Sequence, residues 1–414
     1  MGLAGFLGAR MHLLQMQRNQ WKSEAEILEL QESRLMILIR HASETVPHYR
    51  KSLKGAKMRG LEGLSGLPVV RKEDARNTDS FTSSAYPGEK LTEGRTSGSS
   101  GIPLTVRFTR SELDYASAMR YYQIDAAGVG LFDRLAFVTY IPDRPTPIHG
   151  ILGVRHLPFS DSEDKNLAAI KKIGPAAIIS YPSCLLPLAL RNISAGAGVR
   201  VKSVLSSAEI LPDDARRVIS ESFGCAIYDR YGAIETGSIA WQCEKGGRHI
   251  YSDSIIVEIV DDEGNQARKG DIGNVVLTPL WRRSMPFIRY WIGDRAAFGG
   301  RCRCGRKLPT LSHVEGRANP LIVLPSGRRF AGHSIGLNLR HLSGILRFQV
   351  IQERQDSLRI LVISDTKRMP SKEAIIASAK ILPEPMDVSV EFVDRLESFG
   401  KNKTSDFISR LRQT

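Results

Sequence analysis

The sequence predicts an α/β protein with a large N-terminal domain and a small C-terminal α+β domain. Between residues 135 and 228, strand-like apolar runs alternate with helical ones, which is typical of α/β layers with parallel strands. After Gly247 the pattern becomes β-rich. Near Gly316 a new series of strands and a helix begins. We therefore predict two domains, residues 1–316 and residues 317–414.

The elements of the large domain follow from hydrophobic spacing. Apolar residues recur at helical spacing over residues 24–42, which predicts an amphipathic helix that Pro47 ends. The parallel layer is predicted to contain strands at 135–140, 176–179, 201–205 and 225–228, with helices at 163–173, 183–192 and 212–223. The β-rich part is predicted to contain strands at 249–260, 273–280 and 287–290, with a turn at 261–264.

The small domain has its own pattern of strands around one helix. A Pro-Ser-Gly turn lies between short runs at 321–324 and 329–330. The remaining predicted elements are strands at 348–352, 358–363 and 388–393 and a helix at 371–379. These elements are sufficient for a small α+β domain.

The composition is that of an ordinary globular protein with a basic surface. Of the 414 residues, 42% are hydrophobic and 25% are charged, and the formal net charge is +14. This charge favours anionic partners such as nucleotides, coenzyme A or a membrane surface. The basic residues are scattered and form no nucleic-acid-binding motif, so we expect no nucleic acid partner.

The sequence predicts no transmembrane segment and a cytoplasmic location. The longest uncharged stretch, residues 173–190, contains Pro175, Pro182 and Pro187, so we expect a buried strand, a turn and a helix there. No secretion signal is apparent, and the odd number of cysteines, five, favours a reducing compartment. Residues 1–16 are apolar and basic, which leaves peripheral membrane contact open.

A loop rich in hydroxyls and glycines is the first candidate site. Residues 95–105 read Arg-Thr-Ser-Gly-Ser-Ser-Gly-Ile-Pro-Leu-Thr and lead into a strand-like run. Glycines let successive N–H groups face one anion, so polyphosphate binding and a flexible linker are both open here. Ile102 follows the last glycine and the Walker spacing is absent, so P-loop chemistry is not supported. The candidate phosphate-binding residues are Thr96, Ser97, Gly98, Ser99, Ser100 and Gly101.

Three later segments carry further polar groups suited to a nucleotide. Gly232 lets a flat ring approach the backbone beside Tyr231, and Glu235 stands where a carboxylate can hold Mg²⁺ against a phosphate. Asp294 follows a glycine at a strand end and can accept the hydroxyls of a ribose. Arg317, at the predicted domain junction, can reach a phosphate. Each segment taken alone is equally compatible with a solvated turn or hinge.

The cysteines suggest a separate metal site. Cys243 and His249 form a Cys-x₅-His pair, and Cys302 and Cys304 belong to a Cys-x-Cys-Gly sequence. Thiolates and an imidazole in a set of four suit structural Zn²⁺, and Gly305 would permit the tight turn between two ligands. The alternative is a group of reduced, half-buried thiols. The other two cysteines lie in apolar runs and are expected in the core.

In order and spacing, the motifs resemble those of the adenylate-forming ligases. The similarity is to the phenylacetate-CoA ligase-like branch, which includes the CapK-type proteins of capsule clusters, and it covers nearly the whole chain. It rests on the segment 41–50 with Val46-Pro47-His48-Tyr49-Arg50, the loop 96–103, the pair Ala208-Glu209, Tyr231-Gly232-x-x-Glu235, the segment 286–294 and Gly316-Arg317.

This resemblance implies a large ATP-binding domain, a small mobile lid and a two-step, AMP-forming ligation of a carboxylic acid. The loop 96–101 would hold the β- and γ-phosphates, and Glu235 the Mg²⁺. The other implied nucleotide-binding residues are Ala208, Glu209, Tyr231, Gly232, Asp294 and Arg317. The acyl acceptor is left open among coenzyme A, a carrier thiol, an amine and a hydroxyl. Polysaccharide biosynthesis is the implied context, and a homodimer is left open.

The resemblance also implies a catalytic lysine near the C-terminus. Alignment of the Phe407-Ile408-Ser409-Arg410 ending favours Lys403, whereas the literal Gly-Lys pair favours Lys401. We predict Lys403, which would bind the carboxylate and α-phosphate oxygens. The alternative is a basic tail without contact to the site.

Two departures from the family pattern keep alternative functions open. Ile102 stands where the phosphate loop often carries lysine, and Asn319-Pro320 replaces the usual hinge aspartate and stiffens the chain. We therefore weigh the acid ligase against a nucleotidyltransferase of the coenzyme F390 synthetase type and against a non-catalytic nucleotide-binding homologue. The identity of the acid cannot be read from the pattern.

Overall fold

The chain forms two compact units, each assembled from distant segments. The computed structural model describes residues 3–55, 60–96, 104–139, 153–158, 161–268, 270–317, 321–331, 335–336, 338–339, 342–366, 368–379, 382, 384–397 and 406–411. The first unit contains Met1–Asp133, Thr146–Gly153 and Tyr228–Gly316, and the second contains Arg134–Pro145, Val154–Ile227 and Arg317–Thr414. The chain leaves the first unit for the last time after Gly316, and the predicted extent of the two domains stays a prediction.

Helices and an antiparallel sheet make up the first unit. Its helices are α1 (Leu3–Asn19), α2 (Glu24–Thr45), α3 (Pro47–Ser52), α4 (Thr78–Phe81) and α5 (Arg110–Ala126). Its strands are β1 (Thr92–Arg95), β2 (Thr105–Phe108), β7 (Ala226–Ala233), β8 (Gly237–Gln242), β9 (Arg248–Ile250), β10 (Ile255–Val260), β11 (Gly273–Pro279), β12 (Tyr290–Phe298) and β13 (Thr310–Arg317). Strand β7 belongs to this unit from Tyr228 onward, and β13 belongs to it up to Gly316.

The order of strands brings the chemical segments of the first unit onto one sheet. Seven neighbouring strands lie in the order β10-β11-β12-β13-β9-β8-β7, and the pairs β10/β11, β11/β12, β13/β9, β8/β9 and β7/β8 are antiparallel. Strands β1 and β2 form a separate antiparallel hairpin. The sheet therefore carries Tyr231 on β7 and Asp294 on β12.

Local sequence explains the long helix α2. Ser23 and Glu26 form a capping box at its start, in which each side chain satisfies a backbone N–H of the other's residue. Ile27, Leu35 and Leu38 recur at helical spacing and are buried. The helix ends at Thr45, and Pro47 then occupies the first turn of α3, where a missing N–H costs nothing.

A parallel sheet flanked by helices forms the first half of the second unit. Strands β3 (Leu135–Thr139), β4 (Val154–Pro158), β5 (Ala177–Ser180) and β6 (Ser203–Ser207) lie in the order β6-β5-β3-β4, and all three pairings are parallel. The helices are α6 (Glu163–Ile173), α7 (Pro182–Ser194) and α8 (Asp213–Phe223). Left-handed Gly174 and Gly224 end α6 and α8, as a C-terminal cap requires.

The rest of the second unit is a small α+β assembly. A hairpin of β14 (Leu321–Val323) and β15 (Arg329–Ala331) precedes a mixed sheet in the order β18-β17-β16-β19. The members of that sheet, with its helix, are β16 (Ile345–Arg354), β17 (Ser357–Ser364), α9 (Lys372–Ser378), β18 (Asp387–Phe392) and β19 (Phe407–Ser409). One apolar cluster contains residues of both halves, among them Phe223 and Ile351.

The predicted α/β fold class is confirmed, with local corrections. The predicted strand at 287–290 is wrong, because Pro286 precedes it and Arg289 has a left-handed backbone (φ 50°), so β12 begins only at Tyr290. Helix α1 and strand β4 were not predicted. No helix among the described residues combines the length and apolarity needed to cross a bilayer.

Candidate active site

The β1–β2 hairpin fixes both ends of the predicted phosphate loop. Arg95 pairs with Thr105, and beyond them the Thr96 N–H donates to the Leu104 carbonyl at 3.0 Å. The Leu104 N–H donates back to Thr96 Oγ1 at 2.9 Å. Thr96 is buried. Ser97, Gly98, Ser99, Ser100 and Gly101 lie outside the described residues.

A tight turn between β7 and β8 holds Glu235. Ala233 pairs with Gly237, whose φ of 77° favours glycine. Gly232 sits at a bulge where an added Cβ would lie 2.8 Å from the Gly237 carbonyl oxygen, so a larger residue does not fit. Glu235 is only 3% exposed. Among the residues that the structure describes, its carboxylate makes no hydrogen bond or ion pair.

The hairpin and the Glu235 turn are in contact within the first unit. A Cβ added to Gly94 would meet Phe108 Cε2 at 3.2 Å and Ile234 Cγ2 at 3.3 Å. Ile234 precedes Glu235, and Gly94 lies two residues before Thr96. The turn that carries Glu235 therefore contacts the hairpin that holds the predicted phosphate loop, and the roles assigned to these two motifs stay predictions.

Tyr231 and Asp294 form a hydrogen-bonded pair across the first unit. The Tyr231 hydroxyl donates to Asp294 Oδ2 at 2.7 Å, and Asp294 is 8% exposed. Gly293 has a φ of 90°, which lets β12 turn just before the aspartate. The bond orients the carboxylate that was predicted to accept ribose hydroxyls. The sequence placed these two residues in one site without predicting their direct contact.

Ala208 and Glu209 belong to the second unit, immediately after β6. Ala208 has a φ of 70°, a left-handed conformation that is unusual for alanine and marks a sharp change of direction. Glu209 accepts hydrogen bonds from the Ser183 N–H at 2.9 Å and the Ser183 hydroxyl at 2.8 Å. Its carboxylate also pairs with Arg347 Nη1 at 2.9 Å, and both side chains are almost fully buried.

The remaining predicted nucleotide ligands are less defined. Arg317 is the last residue of β13 and the first residue of the final segment of the second unit. Lys403 and Lys401 both lie outside the described residues, so the choice between them stays a prediction. Asn319 and Pro320 also lie outside that part of the chain.

The predicted metal ligands come together in the first unit. One donor atom each from Cys243, His249, Cys302 and Cys304 lies within 4.8 Å of the others. Cys243 Sγ is 3.5 Å from Cys302 Sγ, and His249 Nε2 is 3.1 Å from Cys304 Sγ. A Cβ added to Gly247 would lie 2.5 Å from Cys302 Sγ, so this glycine leaves room for the cluster.

The electrostatics of this cluster suit a bound cation. Burial raises the pKa of the Cys243 thiol to about 12, and the neighbouring thiols add to the shift. The pKa of Cys304 is lowered, because hydrogen bonds from Arg306 outweigh the effect of its burial. Burial lowers the pKa of His249, while its Nδ1 lies 3.3 Å from the Leu308 carbonyl oxygen. A neutral imidazole held in this way presents Nε2 as a ligand.

The sequence did not indicate two buried charged residues, Glu112 in the first unit and Arg347 in the second. Glu112 is buried and accepts hydrogen bonds from the backbone N–H groups of Thr109, Arg283 and Ser284. Its Thr-x-x-Glu spacing, a capping box for α5, was a usable signal. Arg347, the partner of Glu209, lies in the buried part of β16, and nothing local in the sequence indicates its distant partner.

Comparison with known proteins gives relatives along most of the chain. No protein-family model matches. The chain is 27% identical over 350 residues to the phenylacetate-coenzyme A ligase of Thermus thermophilus, covering 80% of this chain and 79% of the relative. It is also 27% identical over 330 residues to the enzyme of the same name from Escherichia coli, covering 72% and 73% of the two chains.

Solved structures share the fold at lower identity. The structure of a 2-hydroxyisobutyryl-CoA ligase in complex with an acyl-AMP matches with a TM-score of 0.74 at 19% identity, covering 95% of this chain and 91% of that chain. An anthranilate CoA ligase with anthranoyl-AMP matches with a TM-score of 0.53 at 17% identity, over 76% and 66% of the two chains. These likenesses establish the fold.

The relatives and the shared fold support the predicted similarity to the adenylate-forming ligase superfamily. They confirm the predicted enzyme class, an ATP-dependent, AMP-forming acid ligase. Within the superfamily, the chain is phenylacetate-coenzyme A ligase-like, as its motifs predicted.

Proposed function

We propose that this chain activates a carboxylic acid with ATP and transfers the acyl group to the thiol of coenzyme A. In the first step a carboxylate oxygen bonds to the α-phosphorus and pyrophosphate leaves. In the second step the thiol sulfur bonds to the acyl carbon and AMP leaves. The observation that carries the proposal is Glu235, a buried carboxylate without a described protein partner, beside the base of a hydroxyl-rich loop.

The first unit would supply the contacts to the nucleotide. The loop that starts at Thr96 would donate backbone N–H groups and hydroxyls to the β- and γ-phosphates. Asp294, oriented by Tyr231, would accept the ribose hydroxyls. Gly232, where the Gly237 backbone leaves no room for a side chain, would lie with Tyr231 beside the adenine. Such a site acts by positioning and by neutralising charge, so it needs no covalent nucleophile.

The motif resemblance assigns further contacts to four other residues. Ala208 and Glu209 would contact the nucleotide from the turn after β6, where Ala208 has a left-handed backbone. Arg317 would bind the ribose-phosphate, and Lys403 would neutralise the carboxylate and the α-phosphate during adenylation. These assignments rest on the motif resemblance and are tested by substitution.

Glu235 fits Mg²⁺ by its chemistry. The ion takes few protein carboxylates and keeps its other positions for water and phosphate oxygens, which neutralises charge on the leaving pyrophosphate. A buried carboxylate with no other described hydrogen-bond partner is suited to that role. We also propose that the Cys243-His249-Cys302-Cys304 cluster binds a structural Zn²⁺.

The relatives guide the choice of substrates to test. Several are named phenylacetate-coenzyme A ligases, and structural neighbours are named for 2-hydroxyisobutyryl and anthranilate acids. Aryl acids and short hydroxy acids are therefore the first panel, with phenylacetate as the starting compound. Coenzyme A is the first acceptor, because it is named for these relatives.

The first prediction concerns Glu235. Purified protein mixed with ATP, Mg²⁺ and the acid panel should catalyse carboxylate-dependent exchange of pyrophosphate into ATP. Glu235→Ala should reduce the exchange by about 100-fold or more, because charge on the leaving group is no longer neutralised. Glu263→Ala, which alters an exposed carboxylate in a surface turn, should retain wild-type exchange.

Other results would contradict the proposal in distinct ways. Exchange that survives Glu235→Ala would refute the Mg²⁺ assignment. A stable adenylylated product, detected by mass spectrometry, would show a nucleotidyltransferase instead of a ligase. Binding of ATP without pyrophosphate release for any acid would favour a non-catalytic homologue.

A further inference from the structure

The candidate phosphate-binding residues, 96–101, carry no positive charge. Residues 96–105 contain no lysine or arginine. Arg107, on the same hairpin, is already engaged with Asp79 at 2.7 Å and Glu93 at 3.3 Å. Hydroxyls and N–H groups alone would face the several charges of a triphosphate. Besides the exposed Arg95 that precedes these residues and the Mg²⁺ proposed at Glu235, a further cation could pair with the phosphate oxygens.

Arg282 is a buried cation with unused hydrogen-bond donors. Its side chain is fully buried between β11 and β12, and Nη2 donates to the Arg107 carbonyl at 2.8 Å and more weakly to the Met285 carbonyl at 3.4 Å. Nε and Nη1 have no partner among the described residues. The guanidinium carbon lies 3.9 Å from the centroid of the Phe108 ring and 5.5 Å from that of Trp281.

The charge of Arg282 is retained although no described carboxylate pairs with it. Burial lowers its pKa to about 10, and the charges of Glu112 and Glu235 oppose that shift. The guanidinium is therefore protonated near neutral pH. Glu112 acts on Arg282 through its charge alone, since its carboxylate oxygens accept hydrogen bonds from Arg283, Ser284 and Thr109. Unpaired donors of a buried charge are costly and call for a ligand.

The surroundings place Arg282 beside the candidate active site. Phe108, on which the guanidinium stacks, borders the space left by Gly94, and Ile234 borders the same space. A Cβ added to Gly237 would lie 2.8 Å from Cζ2 of Trp281, so the strand that follows Glu235 packs on the residue before Arg282. Glu235 and Arg282 are thus a buried carboxylate and a buried guanidinium near the β1–β2 hairpin. Each has polar atoms without a hydrogen-bond partner among the described residues.

We propose that Arg282 is the cation that binds the β- and γ-phosphate oxygens of ATP, and then those of pyrophosphate. It would use Nε and Nη1 as donors while Phe108 holds the plane of the guanidinium. This inference rests on the proposed function, because it assigns a residue to the phosphate end of the same nucleotide. A structural role alone would not need a charged group with two unused donors in this position.

Nucleotide binding measured by calorimetry tests the proposal without depending on turnover. Wild-type protein is titrated with ATP, with pyrophosphate and with AMP, which lacks the β- and γ-phosphates. Arg282→Lys should weaken ATP and pyrophosphate binding by about 10- to 100-fold, since a lysine cannot reproduce both donors, and should leave AMP binding unchanged. Arg283→Lys is the matched control, because this neighbouring side chain is exposed, and its affinities should equal those of the wild type.

Each alternative outcome has a separate meaning. Equal affinity of Arg282→Lys and wild type for ATP would overturn the assignment of Arg282. A loss of affinity for AMP as large as that for ATP would show a structural role and would also overturn it. Wild-type protein that binds none of the three ligands would contradict the proposed function itself. Arg282→Gln provides a second variant, expected to lose ATP affinity further while AMP still reports a folded site.

Discussion

At the scale of single residues, the buried polar groups of the first unit fall into two kinds. Arg289 is fully engaged: it pairs with Glu258 and donates to the carbonyls of Ser65, Leu67 and Gly264. Glu235 and Arg282 are buried to a similar degree, yet retain unused atoms. Buried groups with all their hydrogen bonds made stabilise the fold. A buried carboxylate and a buried guanidinium with unused atoms would instead suit a ligand that brings a metal ion and an anion, as the proposed function requires.

Acid sensitivity at His48 is a residue-scale prediction. The imidazole stacks on Phe81 with ring centroids 4.2 Å apart, and burial lowers its pKa below the ordinary 6.5, with Asp74 opposing the shift. Below pH 6.5 the unfolded chain therefore binds a proton that the folded chain resists. The contribution of the neutral His48 side chain to the free energy of unfolding is present above that pH and is lost as the pH falls.

His48→Phe keeps an aromatic ring against Phe81 and removes the titration. Urea unfolding at about pH 7.5 and about pH 5.5 measures the effect. The free energy of unfolding of the variant should decrease less on acidification than that of the wild type. An equal decrease in both proteins would show that His48 does not contribute to acid sensitivity.

At the scale of elements, the sequence predicted the helices and strands whose positions depend on local patterns of residues. The strands and helices of the parallel layer were predicted because apolar runs and glycines alternate there, and the structure has these elements within a few residues of the predicted bounds. Strand β4 was missed because it is short and only partly buried. The segment 287–290 was wrongly assigned because Arg289 takes its left-handed backbone from buried tertiary contacts, which no local pattern records.

The Cys-His cluster gives a prediction at the element scale. It joins the ends of β8 and β9 to the segment 299–309, which contains little regular structure. A bound Zn²⁺ would cross-link this segment to the two strands. Purified protein should contain one zinc ion per chain, measured by mass spectrometry of metals. Cys302→Ser should lose most of that zinc and at least about 2 kcal/mol of unfolding free energy.

Cys184→Ser is the matched control for the metal. Burial raises the pKa of this thiol to about 11, and it lies far along the chain from the cluster, in the second unit. Its zinc content should equal that of the wild type. Wild-type protein that is purified without metal and binds none on titration would contradict the Zn²⁺ assignment and favour four reduced thiols.

At the scale of the whole molecule, the second unit shows the limit of inference from sequence. It is assembled from three segments, the last of which begins at Arg317. Glu209 and Arg347 are 138 residues apart, yet form a buried ion pair at 2.9 Å. The sequence indicated Glu209 through a motif and gave no sign of Arg347, because a pairing between distant segments leaves no periodic pattern in either one. The proximity of Cys243, His249, Cys302 and Cys304 could be predicted, because cysteine and histidine spacing is a local pattern.

The last prediction measures how strongly this pair stabilises the second unit. Arg347→Met removes the guanidinium that pairs with the buried Glu209 carboxylate, so the free energy of unfolding should fall by about 3–5 kcal/mol in urea titrations. The double variant Glu209→Gln/Arg347→Met should recover part of that loss, since no unpaired charge remains. Arg191→Met, in the exposed pair with Asp164, should change stability by less than about 1 kcal/mol. Equal losses for the two arginine variants would show that the buried pair does not hold the segments together, and recovery in the double variant would identify the buried charge as the cause of the loss.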